Sequence, residues 1–174
     1  MATFAIGAGD FVRPFRGVRV QHFPVSISQT IKRGYPVKLA GAGLENRVIV
    51  MADNDVAGIV GIAAADITTT GTHVAATDRI PVWLATPEAE FMGRTVADDA
   101  VDFSDRGVNV ALELDATNLI WCVETDNVTQ EIVRVLEYVH PVTKTPLTAE
   151  GDVNALAIFK FIPGASIYIP VILA

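Results

Sequence analysis

The sequence predicts a mainly β protein, either a single β-sandwich or a partly closed β-barrel of the β-tulip type, with an extended N-terminal arm and at most two short helices. Val, Ile and Thr supply 53 of the 174 residues, whereas the helix formers Leu, Glu and Lys number only 10, 8 and 4. Side chains that branch at Cβ suit a pleated surface and lose rotamer freedom in a helix. The 13 Gly and 9 Pro residues separate short apolar segments along the chain. This punctuation is typical of sandwiches and barrels.

Length and composition indicate one domain with an appended arm. A chain of 174 residues corresponds to a single domain, and we divide it into an arm at residues 1–24 and a β-rich body at residues 25–174. The hydrophobic fraction of 51% and the charged fraction of 19% exclude a disordered chain. The first residues lack the basic and apolar regions of a signal peptide, and the apolar residues 167–174 are too few to span a bilayer. We therefore expect a soluble intracellular product.

The arm is set apart by its composition, because residues 1–24 hold three Gly, two Pro, four Phe and three Arg without a strand or helix period. Pro14 and Gly17 disfavour a helix through Arg13, Arg16 and Arg19. We expect the aromatic rings to fill apolar grooves while the guanidinium groups pair with carboxylates. The alternative is that the arm packs on its own body. The expected partner-binding residues are Phe11, Arg13, Phe15, Arg16, Arg19 and Phe23.

The first half of the body contains several segments with the alternation or the continuous apolar character of strands. The run GIVGIAAADITT is apolar on both faces, which favours a strand packed on both sides. Pro81 lies inside RIPVWL, and because proline lacks an N–H donor we expect that strand at a sheet edge. The predicted strand segments are ISQTI and YPVKLAG, with a turn at Arg33–Gly34 between them, RVIVMA, GIVGIAAADITT and RIPVWLATP.

The second half of the body continues this pattern with one ambiguous segment. Strands are predicted at Phe91 and in VNVALEL, LIWCVET and NALAIFKFIP. In NVTQEIVRVLEYVHP the apolar residues fit helical spacing, with Asn127 as the N-cap. The high β-branched content fits a strand equally well, and we predict a strand over residues 128–140. The apolar C-terminal residues are expected to supply a contact between subunits: Ile167, Ile169, Val171, Ile172 and Leu173.

Charge is distributed unevenly along the chain. Residues 1–50 hold seven basic and two acidic residues, whereas residues 51–174 hold six basic and eighteen acidic residues. This asymmetry indicates either self-association or an acidic partner. The alternative is that both ends fold together and the charges mix over one surface. A nucleic-acid partner is not expected, because the whole chain has a formal net charge of −7.

No catalytic or metal-binding set is predicted. His22, His73 and His140 have no ligand-type residue at the spacing of a metal site. Cys122, the single Cys, lies between apolar residues and is expected to be buried rather than nucleophilic. The runs GAGD and GAGL do not complete a phosphate-binding G-x-G-x-x-G motif. We therefore predict a protein that is not an enzyme and has no cofactor or metal. Four acidic residues without the order of a Ca²⁺-binding loop are expected to form a solvated face: Asp98, Asp99, Asp102 and Asp105.

Two motifs in the first half of the body resemble those of a known protein family. Gly34, Pro36, Val37 and Leu39, followed by the run GIVGIA at residues 58–63, match the pattern G-x-P-V-x-L … G-I-V-G-I-A. This pattern is similar to that of the capsid decoration proteins, or cement proteins, of tailed bacteriophages. The resemblance covers residues 26–95 and extends more loosely over residues 100–170. The motifs consist of turns and strands rather than catalytic groups.

The resemblance implies a function without catalysis. Decoration proteins bind the outside of an assembled capsid, often as trimers at local three-fold positions, and hold neighbouring capsomers together. The expected partners are therefore the major capsid protein and further copies of this chain, with no nucleic acid and no membrane. The expected location is the virion surface, after synthesis in the host cytoplasm. Three alternatives stay open: a tail or head–tail connector component, a small β-barrel enzyme whose site is not recognisable, and a cytosolic binding domain.

Overall fold

A computed structural model describes residues 11–41, 46–53, 55–74, 76–96, 100–127, 129–153 and 155–166. It confirms the predicted fold class, since the described residues form thirteen strands and a single short 3₁₀ helix at Phe103–Asp105. The strands are β1 Arg13–Arg16, β2 Val20–Pro24, β3 Thr30–Ile31, β4 Pro36–Leu39, β5 Val48–Val50, β6 Ile59–Ala63, β7 Ile67–Thr68, β8 Arg79–Leu84, β9 Glu90–Arg94, β10 Asn109–Asp115, β11 Ile120–Glu124, β12 Val133–Val139 and β13 Leu156–Phe161.

The strands form three antiparallel sheets. The six-stranded sheet has the order β1-β9-β13-β12-β10-β11, the five-stranded sheet has the order β2-β8-β6-β4-β5, and β3 pairs with β7. Both large sheets curl. Val48 of β5 forms a single bridge with Val25, and Val123 of β11 forms one with Thr95. Neither sheet is closed into a barrel, so the architecture is consistent with a β-sandwich.

One hydrophobic core joins the two large sheets. It includes Ile62 and Val82 of the five-stranded sheet together with Phe91 and Phe159 of the six-stranded sheet. Phe91 and Phe161 meet edge to face, with 5.5 Å between their ring centroids. Burial of each such side chain stabilises the fold by about 1.5–3 kcal/mol. The alternation that predicted β13 therefore corresponds to the inward face of a core strand.

The two motifs that carry the family resemblance lie in neighbouring strands. The PVKL segment forms β4 and the IVGIA segment forms β6, with Val37 opposite Gly61. All five residues of β6 are buried, which confirms the prediction of a strand packed on both faces. A Cβ atom at Gly61 would lie 2.0 Å from the carbonyl oxygen of Trp83 on β8. Only glycine therefore allows β6 and β8 to approach this closely.

The prediction that Pro81 marks a sheet edge is wrong. Strand β8, which contains Pro81, lies between β2 and β6. The ladder between β6 and β8 ends at the pair Ala63 and Val82, one residue before Pro81 is reached. The carbonyl of Pro81 still accepts a hydrogen bond from the N–H of Ala64. The interior strand β8 accommodates Pro81 because its ladder with β6 ends before the position where Pro81 lacks an N–H donor.

The ambiguous segment before His140 is a strand, as predicted. Strand β12 pairs with β13 on one side and β10 on the other. A bulge between Val135 and Glu137 shifts its register. Asn127, the expected helix cap, instead accepts the N–H of Thr129 at 3.0 Å. Its side chain therefore closes a local turn ahead of the strand, which asparagine does as readily as it caps a helix.

The N-terminal segment is part of the folded body over its described length. Strand β1 pairs with β9, and β2 pairs with β8. The pairing of β2 continues past residue 24, because the N–H of Val25 donates to the carbonyl of Asp78 at 2.8 Å. The sequence-based boundary between residues 24 and 25 therefore does not coincide with a break in the sheet. Residues 1–10 and the C-terminal residues 167–174, which include the expected subunit contact, lie outside the described residues.

Candidate interaction surface

The residues singled out in the arm lie on or beside two edge strands. Strand β1 is at the edge of the six-stranded sheet, and β2 is at the edge of the five-stranded sheet. The short connection at residues 17–19 carries the chain from one sheet to the other. Gly17 has a φ of +67°, and a Cβ atom there would lie 2.4 Å from the carbonyl oxygen of Glu88. Glycine thus permits a tight crossing, and we call residues 13–24 the β1–β2 edge.

The three arginines of the β1–β2 edge are only weakly engaged. Arg13 donates to the sulfur of Met92 at 3.8 Å. Arg16 lies 3.9 Å from the carboxylate of Glu90, and its side chain is 72% exposed. The exposed side chain of Arg19 makes no hydrogen bond or ion pair with any described residue. Because exposed ion pairs contribute about 0–1 kcal/mol, these guanidinium groups are available to carboxylates of a partner.

The three phenylalanines expected to contact a partner are separated by the structure. Phe23 is only 4% exposed and belongs to the core. Phe11 is partly buried, and the guanidinium of Arg33 lies 4.8 Å from its ring centroid. Phe15 is 40% exposed and lies 5.4 Å from the guanidinium carbon of Arg16. Phe23 and Phe11 thus pack internally, whereas Phe15 presents an aromatic surface next to a cation.

The backbone of β2 also presents polar groups outward. The carbonyl of Arg19 accepts the N–H of Leu84 on β8, and the N–H of Val25 donates to the carbonyl of Asp78 just before β8. In this antiparallel ladder the odd-numbered residues therefore direct their backbone N–H and carbonyl groups toward β8, whereas those of Val20 and His22 point away. Val20 is 56% exposed, and no other strand of the described chain pairs with this side of β2. Sequence reasoning found the arginines but missed this edge, because strand order is not encoded locally.

Both edge strands carry features that limit open-ended strand pairing. Pro14 lies within β1, and the register of β1 shifts between Pro14 and Arg16. Pro24 ends β2. Proline, bulges and charged side chains are the means by which natural sheets protect their edges from aggregation. The β1–β2 edge is therefore suited to side-chain recognition and a short backbone contact rather than to a long added strand.

The histidines belong to no cluster of metal-ligating side chains among the described residues. His73 Nδ1 lies 3.7 Å from a carboxylate oxygen of Asp78. His140 Nδ1 accepts the N–H groups of Val142 and Thr143, both at 3.2 Å, and so helps to close a turn. His22 lies on the exposed edge of β2. The three side chains thus lie in separate surroundings.

Cys122 is buried on β11, as predicted. Burial raises the pKa of its thiol to about 12, and the nearby charge of Asp115 adds to the shift. A thiol with so high a pKa is almost entirely protonated near neutral pH. It therefore lacks the thiolate character that a nucleophile requires.

The acidic residues serve local structure where they are described. Asp102 caps the 3₁₀ helix by accepting the N–H of Ser104 at 2.7 Å, and this hydrogen bond lowers the pKa of its carboxyl group. Asp105 accepts the hydroxyl of Tyr138 at 3.2 Å. Asp98 and Asp99 lie outside the described residues. Asp102 and Asp105, the two acidic residues that are described, therefore lie on a partly solvated loop.

Two cavities are lined by residues outside the β1–β2 edge. One of about 400 Å³ borders the turn between β10 and β11, where Asn118 donates to Asp115 at 2.6 Å and lowers the pKa of its carboxyl group. Val96 and residues 113–118 line this cavity. A second cavity of about 150 Å³ lies beside Arg134 and Lys160 at the end of β13. The walls of the second cavity come from separate segments, namely Pro87, Arg134 and residues 160–163, so the sequence contained no local signal for it.

No helix of the described part of the chain is long and apolar enough to cross a membrane. In comparison with known proteins, no protein-family model matches the chain, and no curated protein sequence is significantly similar to it.

Proposed function

We propose that this protein is a virion structural protein that binds the outer surface of an assembled phage capsid and stabilises it by bridging neighbouring capsid subunits. The observation that carries the proposal is the β1–β2 edge, where Arg13, Arg16 and Arg19 accompany the exposed side chains of Phe15 and Val20. An aromatic anchor flanked by arginines is typical of the centres of protein interfaces.

The family resemblance supports the same function through the scaffold. Its motifs form β4 and β6, which are hydrogen-bonded neighbours inside the five-stranded sheet. Strand β6 packs against β8, and β8 in turn pairs with β2. The resembling motifs thus build the scaffold that holds the candidate surface, while the surface itself is specific to this sequence.

The proposed partners are the major capsid protein and further copies of this chain, bound on the virion surface. A homotrimer is the proposed form on the shell, because a symmetric ligand gains avidity when it engages several equivalent sites at once. Each copy of the trimer then contributes its own β1–β2 edge to capsid binding. Repetition over several copies strengthens an attachment whose individual ion pairs are weak.

The proposal is tested by sedimentation with undecorated capsids. Purified protein is incubated with the shells, the pellet is analysed for bound protein, and the decorated shells are then heated or treated with a chelator. We expect saturable binding and shells that break at a higher temperature than bare shells. Shells that break at the same temperature despite bound protein would refute the stabilising function. The matched control is Lys32→Gln, because Lys32 is exposed in the turn after β3 and its side chain forms no hydrogen bond or ion pair with the described residues.

A further inference from the structure

A row of charged side chains crosses the outer face of the six-stranded sheet. The strand registers place Arg16 opposite Glu90, Arg134 opposite Lys160, and Asn109 opposite Arg134. The register between β9 and β13, extended by one pair, also places Glu90 beside Lys160. Side chains of directly opposed residues share one face of a sheet. The row therefore begins at the β1–β2 edge and continues across five strands.

Two positive charges in this row are neighbours, and acidic groups lie only on either side of them: Glu90 is opposite Lys160, and Glu131 accepts the Asn109 amide at 3.1 Å. Arg134 and Lys160 are directly opposed on neighbouring strands, an arrangement that destabilises a sheet. The Nε of Arg134 donates to the neutral Asn109 side chain at 2.9 Å. Within the described chain, neither Arg134 nor Lys160 forms an ion pair, and Glu90 is shared with Arg16. The sheet thus retains an unfavourable cation pair, which a bound anion would neutralise.

The cavity beside this cation pair is small and partly apolar. Its volume is about 150 Å³, below the roughly 300–1,000 Å³ of typical small-molecule sites. This space suits a single carboxylate with its methylene groups and is too small for a nucleotide. The charged end of such a ligand would meet the two cations, and its methylene groups would meet the apolar wall. The lining residues are Pro87, Arg134, Lys160, Phe161, Ile162 and Pro163.

We infer that Arg134 and Lys160 bind a carboxylate side chain from an acidic segment of a partner protein. Continuity with Arg16 makes this site an extension of the β1–β2 edge across the sheet. Nucleic acid fits less well, because the cavity of about 150 Å³ has room for a carboxylate with its methylene groups but not for a nucleotide. The inference rests on the proposed function only for the identity of the partner, which would be the capsid protein.

The site is tested first without capsids, with a fluorescently labelled hexaglutamate peptide as the probe. Fluorescence anisotropy is measured for the full-length protein, for Arg134→Gln, for Lys160→Gln and for the Lys32→Gln control. We expect each cation variant to bind about threefold to fivefold more weakly, consistent with one partly exposed ion pair. The control should bind like the unmodified protein, and hexaserine should not bind. Added NaCl should weaken peptide binding to the unmodified protein more than to a double variant that carries both Arg134→Gln and Lys160→Gln.

The melting temperature of the free protein separates binding from structure. Removal of one of two opposed cations relieves a repulsion, so we expect Arg134→Gln and Lys160→Gln to melt at the same or a higher temperature. Unchanged peptide binding in both variants would overturn the inference, as would a fall in melting temperature that accounts for the lost binding. Capsid sedimentation then distinguishes the two proposals. Peptide binding without capsid binding refutes the capsid function alone, whereas capsid binding by the double variant at full strength refutes this site.

Discussion

Single residues decide how closely the strands of this protein can pack. Gly61 has no space for a side chain, since its Cβ would lie 2.0 Å from a backbone oxygen of β8. We expect Gly61→Ala to lower the free energy of unfolding by at least about 2 kcal/mol, because the backbone of β8 must move. Urea denaturation measures the loss. Gly71→Ala is the matched control, because nothing lies within 4 Å of its added Cβ, and equal stability of the two variants would contradict this explanation.

Cys122 gives a residue-scale prediction about pH. Its thiol has a pKa of about 12 in the folded protein, whereas an unfolded thiol titrates near 8.5. The folded state therefore holds this proton more tightly, so the stabilising contribution is complete below about pH 8.5 and is lost as pH rises toward 12. The slope in that interval is about 1.4 kcal/mol per pH unit.

The measurement compares the unmodified protein with Cys122→Ala by urea denaturation from pH 8 to pH 10.5. We expect the difference in unfolding free energy to shrink as pH rises, while tyrosine and lysine titrations affect both proteins alike. A thiol reagent at pH 8 should leave the folded protein unmodified and react fully in urea. Rapid reaction of the folded protein would show that Cys122 is accessible.

At the scale of elements, β1 and β2 combine a structural and a recognition role. Both strands are hydrogen-bonded into the large sheets, and Phe23 of β2 belongs to the core. Deletion of residues 1–24 would therefore remove two sheet strands and would lower the melting temperature of the free protein. Such a deletion cannot separate docking from folding. Single substitutions on the two faces of this segment can separate the two effects.

Phe23→Ala and Phe15→Ala form a matched pair. Phe23 is 4% exposed and Phe15 is 40% exposed. We expect Phe23→Ala to reduce the free energy of unfolding by about 3–5 kcal/mol, and Phe15→Ala to change it by less than about 1 kcal/mol. Capsid sedimentation should show weaker binding for Phe15→Ala, because the exposed ring is the proposed anchor. Full capsid binding by a stably folded Phe15→Ala variant would exclude Phe15 from the interface.

The arginines of the same segment give a weaker expected effect. Simultaneous replacement of Arg13, Arg16 and Arg19 by Ala should leave the melting temperature nearly unchanged, because the contacts of Arg13 and Arg16 are long and the Arg19 side chain is exposed. Capsid attachment should weaken moderately, chiefly through slower association, since surface charges steer encounters. To test this, association rates are compared at about 50 mM and about 300 mM NaCl, because the higher salt concentration shortens the range over which surface charges interact. An association rate that is independent of both substitution and salt would contradict electrostatic steering.

At the scale of the whole molecule, the charge asymmetry of the sequence becomes a surface property. Arg13 and Arg16 lie on β1, at the edge of the six-stranded sheet, and Arg19 lies in the connection to β2. Residues 51–174 carry most of the acidic groups. We expect homo-oligomers, with a trimer as the form on the shell. Light scattering after size-exclusion chromatography measures the mass in solution. Monomers in solution combined with isolated copies on the shell would contradict oligomerisation.

Local residue chemistry was sufficient to predict the class of this fold and most of its strands. The content of Val, Ile and Thr is a local property of the sequence. So is the alternation of apolar residues in NALAIFKFIP, because successive side chains of a strand point to opposite faces of the sheet. The burial of Cys122 followed in the same way from its apolar neighbours. Even the ambiguous residues before His140 were predicted as a strand, since β-branched side chains suit pleated surfaces.

Strand order and long-range packing were decided only by the tertiary structure. Pro81 was assigned to a sheet edge because the absence of its N–H can be read from the sequence. The β6–β8 ladder ends just before Pro81, and this end depends on β6, which is a separate segment of the chain. The same reason explains Phe11 and Phe23, which look like partner anchors in sequence but pack internally. The opposed pair Arg134 and Lys160 lies 26 residues apart in the chain. Register between distant strands creates that pair, because it is set by the shared core and not by either strand alone.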